Sequence, residues 1–149
     1  MKIPKYQLRT SEKLSSYEFV SEGTKGLIQK RIQFTLINRD EVYNLAFGDK
    51  NIETGEINDL VISDNGDSEK VLSTVVGAVY AFCDKNPNAW IFATGSTPSR
   101  TRLYQIGIAK YYQELTEEFE IFGQIVEDWE VFERGKNYSA FLAKRKYVL

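Results

Sequence analysis

Residues 27–37 alternate, with Ile28, Ile32, Phe34 and Leu36 set among Gln29, Lys30, Arg31, Gln33 and Thr35. A period of two sends successive side chains to opposite faces, so this stretch predicts a half-buried β-strand. The Y-E-F-V-S-E segment from Tyr17, ending at Gly23, predicts another. Asn38-Arg39-Asp40 reads as a tight turn into a third strand, Val42 to Phe47, closed by Gly48-Asp49. A turn at Glu53-Thr54-Gly55 leads to a fourth through Ile57, Leu60, Val61 and Ile62, which completes an antiparallel meander. Residues 1–16 are polar with no clear period and read as an irregular arm or a short edge strand.

The period then changes. Val71, Leu72, Val75, Val76, Val79, Tyr80, Phe82 and Cys83 recur at helical spacing, after capping residues in Asp64-Asn65-Gly66-Asp67-Ser68. This helix presents a broad apolar face to a sheet, and Asn86-Pro87-Asn88 ends it. Trp90 to Ala93 is a short apolar strand. Pro98 suits the first turn of a second helix, whose stripe of Tyr104, Ile108, Tyr111, Tyr112 and Leu115 runs to about Thr116. Phe119 to Val126 and Tyr138 to Arg145 are the closing strands.

The resulting order, β-β-β-β-α-β-α-β-β, predicts a single α+β domain over residues 1–149. Its sheet is twisted, mainly antiparallel and of about six or seven strands, with two main helices. The Trp90 strand lies between the helices in sequence and is expected to pair parallel to a neighbour in mid-sheet, where strand ends favour ligands.

Composition narrows the chemistry. The 149 residues, 42% hydrophobic and 13% aromatic, suffice for a packed core. A net charge of -2 gives no general attraction to nucleic acid, and no apolar run approaches the ~20 residues of a membrane span. Polar residues follow Met1-Lys2-Ile3-Pro4 where a signal peptide is apolar, and Cys83 is the single cysteine, so a cytoplasmic protein is expected. The absence of histidine removes Ser-His and Cys-His nucleophile pairs and His-bearing metal sites. The acidic stretches Asp49 to Glu56 and Asp64 to Asp67 lack the ligand spacing of a calcium loop and read as turns and caps. No metal is expected.

Candidate chemistry gathers in W-I-F-A-T-G-S-T-P-S-R-T-R-L-Y, residues 90–104. A strand, a Gly-Ser-Thr turn and a helix N-terminus aim backbone N–H groups at one point, and arginines add positive charge. Gly95, Ser96, Thr97, Arg100 and Arg102 therefore form a candidate anion-binding notch for a small anionic ligand, the structural alternative being a plain capped turn. Arginines two apart on a helix point about 200° from each other, so only one faces the notch; Arg100, nearer the N-terminus, is expected to be that one. Cys83 and most aromatics read as core. The closing Lys144-Arg145-Lys146 run reads as a solvated strand rather than a nucleic-acid patch. Aromatics of the last third (Tyr111, Tyr112, Phe119, Phe122, Trp129, Phe132, Tyr138, Phe141) exceed what one small core takes up, which points to a homodimer.

Two resemblances follow. The order of meander, helix, strand, helix and final strands resembles the core of the acyl-CoA-dependent N-acetyltransferase superfamily, GNAT. Leu103-Tyr104 followed by Gly107-Ile108 is similar to that family's N-x-x-A-x-x-L-Y-x-x-x-G-F helix, one residue shorter after the tyrosine and with Thr97 and Arg100 in place of the asparagine and alanine. That resemblance implies acetyl-CoA as cofactor, where none is otherwise expected, and Tyr104 as the catalytic acid. The family's pyrophosphate loop is replaced by Asp64-Asn65-Gly66-Asp67, whose carboxylates repel a pyrophosphate. The N-L-A-F-G-D, T-G-E-I, N-G-D-S-E-K-V-L and T-G-S-T-P-S-R-T-R-L-Y segments from Asn44 onward resemble a family of small bacterial proteins with no known activity. A protein-interaction module of toxin–antitoxin or phage-defence type stays open beside the anion-binding and acetyltransferase readings.

Overall fold

Alternating side chains build the first strands of the computed structural model, which describes residues 4–10, 15–58, 65–95 and 97–146. Along the chain lie β1 (Arg9–Thr10), β2 (Ser16–Gly23), β3 (Gly26–Leu36), β4 (Val42–Lys50), β5 (Ile57–Asn58), α1 (Ser68–Lys85), β6 (Trp90–Ala93), α2 (Pro98–Lys110), α3 (Tyr112–Glu118), β7 (Phe119–Ile125), β8 (Asp128–Val131) and β9 (Ala140–Arg145). They fall into two compact units, Met1–Thr35 with Ala46–Lys85 and Leu36–Leu45 with Asn86–Leu149, β4 giving its first half to the second unit and the rest to the first.

In the first unit β2 and β3 form an antiparallel hairpin from Ser16↔Gln33 to Gly23↔Gly26, and β1 pairs with β2 as a two-residue edge strand. The buried set of the hairpin is Tyr17, Phe19 and Ser21 facing Lys30, Ile32 and Phe34. Phe82 of α1 stacks on Phe34 at 4.2 Å between ring centroids, and Val71, Leu72, Val75, Ala78 and Cys83 fill the same helical face. Lys30 departs from the polar set to which its residue type assigns it. It shares the parity of Ile32 and Phe34, is 2% exposed, and donates to the Asp49 carboxylate, which keeps a buried cation compensated.

The segment before α1 is pinned to the β2–β3 turn. Asn65, 1% exposed, accepts from Lys25 N–H at 2.6 Å and donates to the Gly26 carbonyl at 2.9 Å and to Ser21 Oγ at 3.2 Å. Asp67 accepts from the hydroxyls of Tyr6 and Ser21. The arm at Tyr6 is thereby held, its ring stacked on Phe19 and its N–H bonded to Thr74 Oγ1 at 2.8 Å.

In the second unit the strand order is β4, β6, β9, β7, β8. The first half of β4 runs parallel to β6 (Val42↔Trp90, Tyr43↔Ile91, Asn44↔Phe92), so the Trp90 strand does pair parallel in mid-sheet. The remaining ladders here are antiparallel: β6–β9, β9–β7 and β7–β8. Ile91, Ala93, Ile121 and Gly123 point to a buried face. Phe141 shares it and meets Phe132, which in turn meets Tyr112 of α3. Trp90, Phe92, Leu142 and Phe122 line the other face and stay half-exposed.

The fold is α+β with a mixed sheet, and it corrects three expectations. The stripe read as one helix from Pro98 to Thr116 breaks at Tyr111, whose backbone leaves helical angles (φ -102°, ψ 21°), so the described residues hold three helices. Tyr111 and Leu115 are both buried, and the break lets each reach the interior before β7 starts. Strand β8 is an addition: two of its residues are acidic, and Trp129 and Val131 face outward, so no core-facing apolar run marks it. The sheet thus has more strands than expected. Of the fourth predicted strand, Ile57 lies in β5, while Leu60, Val61 and Ile62 lie outside the described residues.

Candidate functional site

Strand β6 ends at Ala93, and the chain crosses Thr94 and Gly95 before α2 begins at Pro98. Gly95 has no positive φ, so its requirement is closeness rather than a special conformation. A Cβ there would lie within contact distance of Arg100 Cβ and Thr101 N, and 2.7 Å from the Arg100 carbonyl carbon. The turn is laced to the helix: Gly95 N–H donates to Thr101 Oγ1 at 3.0 Å, and Thr97 caps α2 by accepting from Arg100 N–H at 3.3 Å. Pro98 contributes no N–H. Much of the helix terminus expected to cradle an anion is therefore spent within the turn.

What remains is a groove of about 730 Å³. Thr94 and Gly95 form its floor. Thr97, Pro98, Thr101, Arg102, Gln105, Ile106 and Ala109 of the α2 side form one wall, and Asn137, Tyr138 and Ser139 form the other. Gln105 holds the walls together, donating to the Lys136 carbonyl and accepting from Tyr138 N–H at 2.9 Å. Thr94 Oγ1 donates to the Ser139 carbonyl at 2.8 Å. Tyr138 is fixed from behind. Its ring closes over Gly123, its hydroxyl donates to Glu130 at 3.1 Å, and the same oxygen accepts from Glu133 N–H at 3.0 Å. Burial first, and the Glu130 bond after it, push the Tyr138 phenol above the usual tyrosine range. The Lys136 hydrogen bond holds Glu130 below the usual carboxylate range, and that bond raises Lys136 in return.

The structure sorts the candidate residues. Gly95, Thr97 and Arg102 line the groove together, and Ser96 lies outside the described residues. Arg100 is 5% exposed with its Cβ against Gly95, so the facing is the reverse of the expected one: Arg102 stands on the wall and Arg100 in the interior. Tyr104 is half-buried on α2, outside the groove walls. Thr94, Thr101, Gln105, Asn137 and Ser139 were not singled out from sequence. Thr94 and Thr101 fall within residues 90–104, while Gln105, Asn137 and Ser139 lie outside that segment.

Among the described residues the groove takes one guanidinium and no carboxylate from its lining, though the chain as a whole has a charge of -2. Such a lining can bind an anion by one charge-assisted contact supported by hydroxyl and amide groups, with Pro98, Ile106 and Ala109 as an apolar strip. Among the described residues no three His, Cys, Asp or Glu side chains gather as metal ligands, and no helix is long and apolar enough to cross a membrane. The terminal basic run is built into the sheet: Lys144 lies over Trp90, Arg145 lies over Phe119, and Lys146 donates to the Thr116 carbonyl.

A mixed-sheet α+β fold with a polar groove at a strand-to-helix turn is the class that these features define. The chain belongs to a family of unknown function, DUF6934, whose family model matches residues 2–146. No curated protein and no solved structure is significantly similar to it.

Proposed function

We propose that the protein binds a small anionic ligand in the groove between the start of α2 and the Asn137–Ser139 segment. The observation that carries this reading is the lining itself, with Arg102 as its cation, threonine, serine and amide side chains around it, and no acidic residue among the described ones. The ligand fitting it has one anionic end for Arg102 and an uncharged body for the strip at Pro98, Ile106 and Ala109. Isothermal titration with inorganic phosphate, pyrophosphate and short-chain carboxylates tests this, with Arg102→Ala as the comparison. Removing the charge-assisted contact costs about 1.5–3 kcal/mol of affinity.

A second reading, an acyl-CoA-dependent N-acetyltransferase of GNAT type with Tyr104 as acid, is favoured by one observation. Strand β6, which pairs parallel with the first half of β4, follows α1 and precedes α2 in the chain order that the resemblance implies. Against it, Asp67 keeps its carboxylate in the segment that replaces the pyrophosphate loop, bound to Tyr6 and Ser21 rather than removed from the site. Acetyl-CoA titration separates the two readings.

A further inference from the structure

The half-exposed face of the second unit's sheet carries a continuous apolar surface that the groove does not use. Register places Phe92, Leu142, Phe122 and Val131 side by side across β6, β9, β7 and β8. Val42 and Trp90 adjoin this row on one side. Trp129, opposite Gln124, meets the Phe92 ring edge-on at 6.2 Å on the other. A hollow of about 480 Å³ opens on this face between Ile37, Val42, Trp90, Phe92 and Leu142, with Asp40 at its rim. Ile37, Trp129 and Val131 are 53%, 38% and 67% exposed, where an interior-facing aromatic or branched residue would be covered.

We infer that this face docks against the same face of a second copy of the chain. Its charges select that occupant. Lys144 stands directly opposite Glu120 across β9 and β7, with Asp40 nearby, so the rim carries both signs. An anionic surface meets the carboxylates of Glu120 and Asp40 beside the cations Lys144, Arg145 and Lys146 that gather at the Trp90 end. A two-fold copy instead offers a carboxylate to each Lys144 and a lysine to each acid. Edge-to-edge pairing through β8 is opposed by Asp128 and Glu130, which would meet their own copies along the edge. Five adjacent strands at a spacing of ~4.8 Å give a face on the order of 20 Å wide. Contiguous exposed apolar patches of a few hundred Å² or more mark interaction sites. A face of this width suits a reversible dimer with total burial below about 1,200 Å².

Sedimentation of the full chain from about 1 to 100 μM, the regime of small interfaces, tests the inference. The expected result is a monomer–dimer equilibrium that Trp129→Lys and Val131→Lys each weaken at least about tenfold, roughly 1.4 kcal/mol. Val126→Lys, 85% exposed on the β7–β8 turn, is expected to associate as the wild type does. Circular dichroism checks the fold of each variant, and Val131 is exposed enough for its substitution to carry the test should Trp129→Lys fail to fold. A wild type that sediments as a monomer throughout, or a folded Val131→Lys that dimerises as the wild type does, overturns it.

Discussion

Gly95 and Arg100 meet without space for a methyl group between them, which fixes the end of β6 against the first turn of α2. Because the obstacle includes backbone atoms of Arg100 and Thr101, no side-chain rotation relieves it. Gly95→Ala is expected to destabilise the protein by about 1–3 kcal/mol and Gly95→Val by more, as overpacking does. Urea denaturation checks this, and an unchanged midpoint for Gly95→Ala would show that the turn has room.

Asn65 is expected to matter more than a loop residue ordinarily does. Its three side-chain hydrogen bonds join the α1 approach to the β2–β3 turn in a buried setting. Asn65→Ala should cost about 1–3 kcal/mol through polar groups left unsatisfied. Asn65→Asp should cost more, since it places a carboxylate beside the Gly26 carbonyl and near Asp67. Thermal unfolding of the two variants gives the order, and Asp tolerated better than Ala would contradict the assignment.

Alkaline pH provides a third check. Tyr6, Tyr17 and Tyr138 all have phenols raised above 10.0, each chiefly by burial, with Asp67 adding to Tyr6 and Glu130 to Tyr138. A raised phenol holds its proton in the folded state after the unfolded chain has lost it. Stability is therefore fully present below pH 10 and falls as pH rises above it. Phenolate absorbance during titration should show part of the nine tyrosines ionising late, together with unfolding. Ionisation of all nine in one ordinary transition, with the fold intact, would count against it.

Acetyl-CoA is expected to bind weakly. With the Asp67 carboxylate in the segment that the acetyltransferase resemblance sets at the pyrophosphate loop, calorimetry should give a Kd above about 10 μM, less than roughly 7 kcal/mol of binding. Tighter binding would move the acetyltransferase reading to first place.

The sequence revealed those parts of the fold that local signals determine. Trp90–Ala93 was legible as an apolar run between breakers, and α2 began at Pro98 behind a threonine cap, as its residues indicate. Turn chemistry likewise located Gly55, which has a φ of 74°. Features set by distant partners were hidden. Lys30 looks like a surface cation until Asp49 from another strand meets it, and β8 carries its apolar residues on the face turned outward. For the site, the strand-to-helix turn was legible but its facing was not. Whether Arg100 or Arg102 points inward depends on how α2 rolls onto Gly95. The second wall at Asn137–Ser139 arrives 33 residues away through the bond from Tyr138 to Gln105.

The most direct test of the account is a pair of pyrophosphate titrations comparing Arg102→Ala with Arg100→Met. Loss of the wall cation should weaken binding about 10- to 150-fold, the equivalent of about 1.5–3 kcal/mol, and leave the unfolding midpoint near that of the wild type. Arg100→Met should shift the midpoint and leave the affinity of the folded protein close to wild type. Wild-type affinity in Arg102→Ala, or a larger loss of affinity in folded Arg100→Met, would contradict the groove as the anion site.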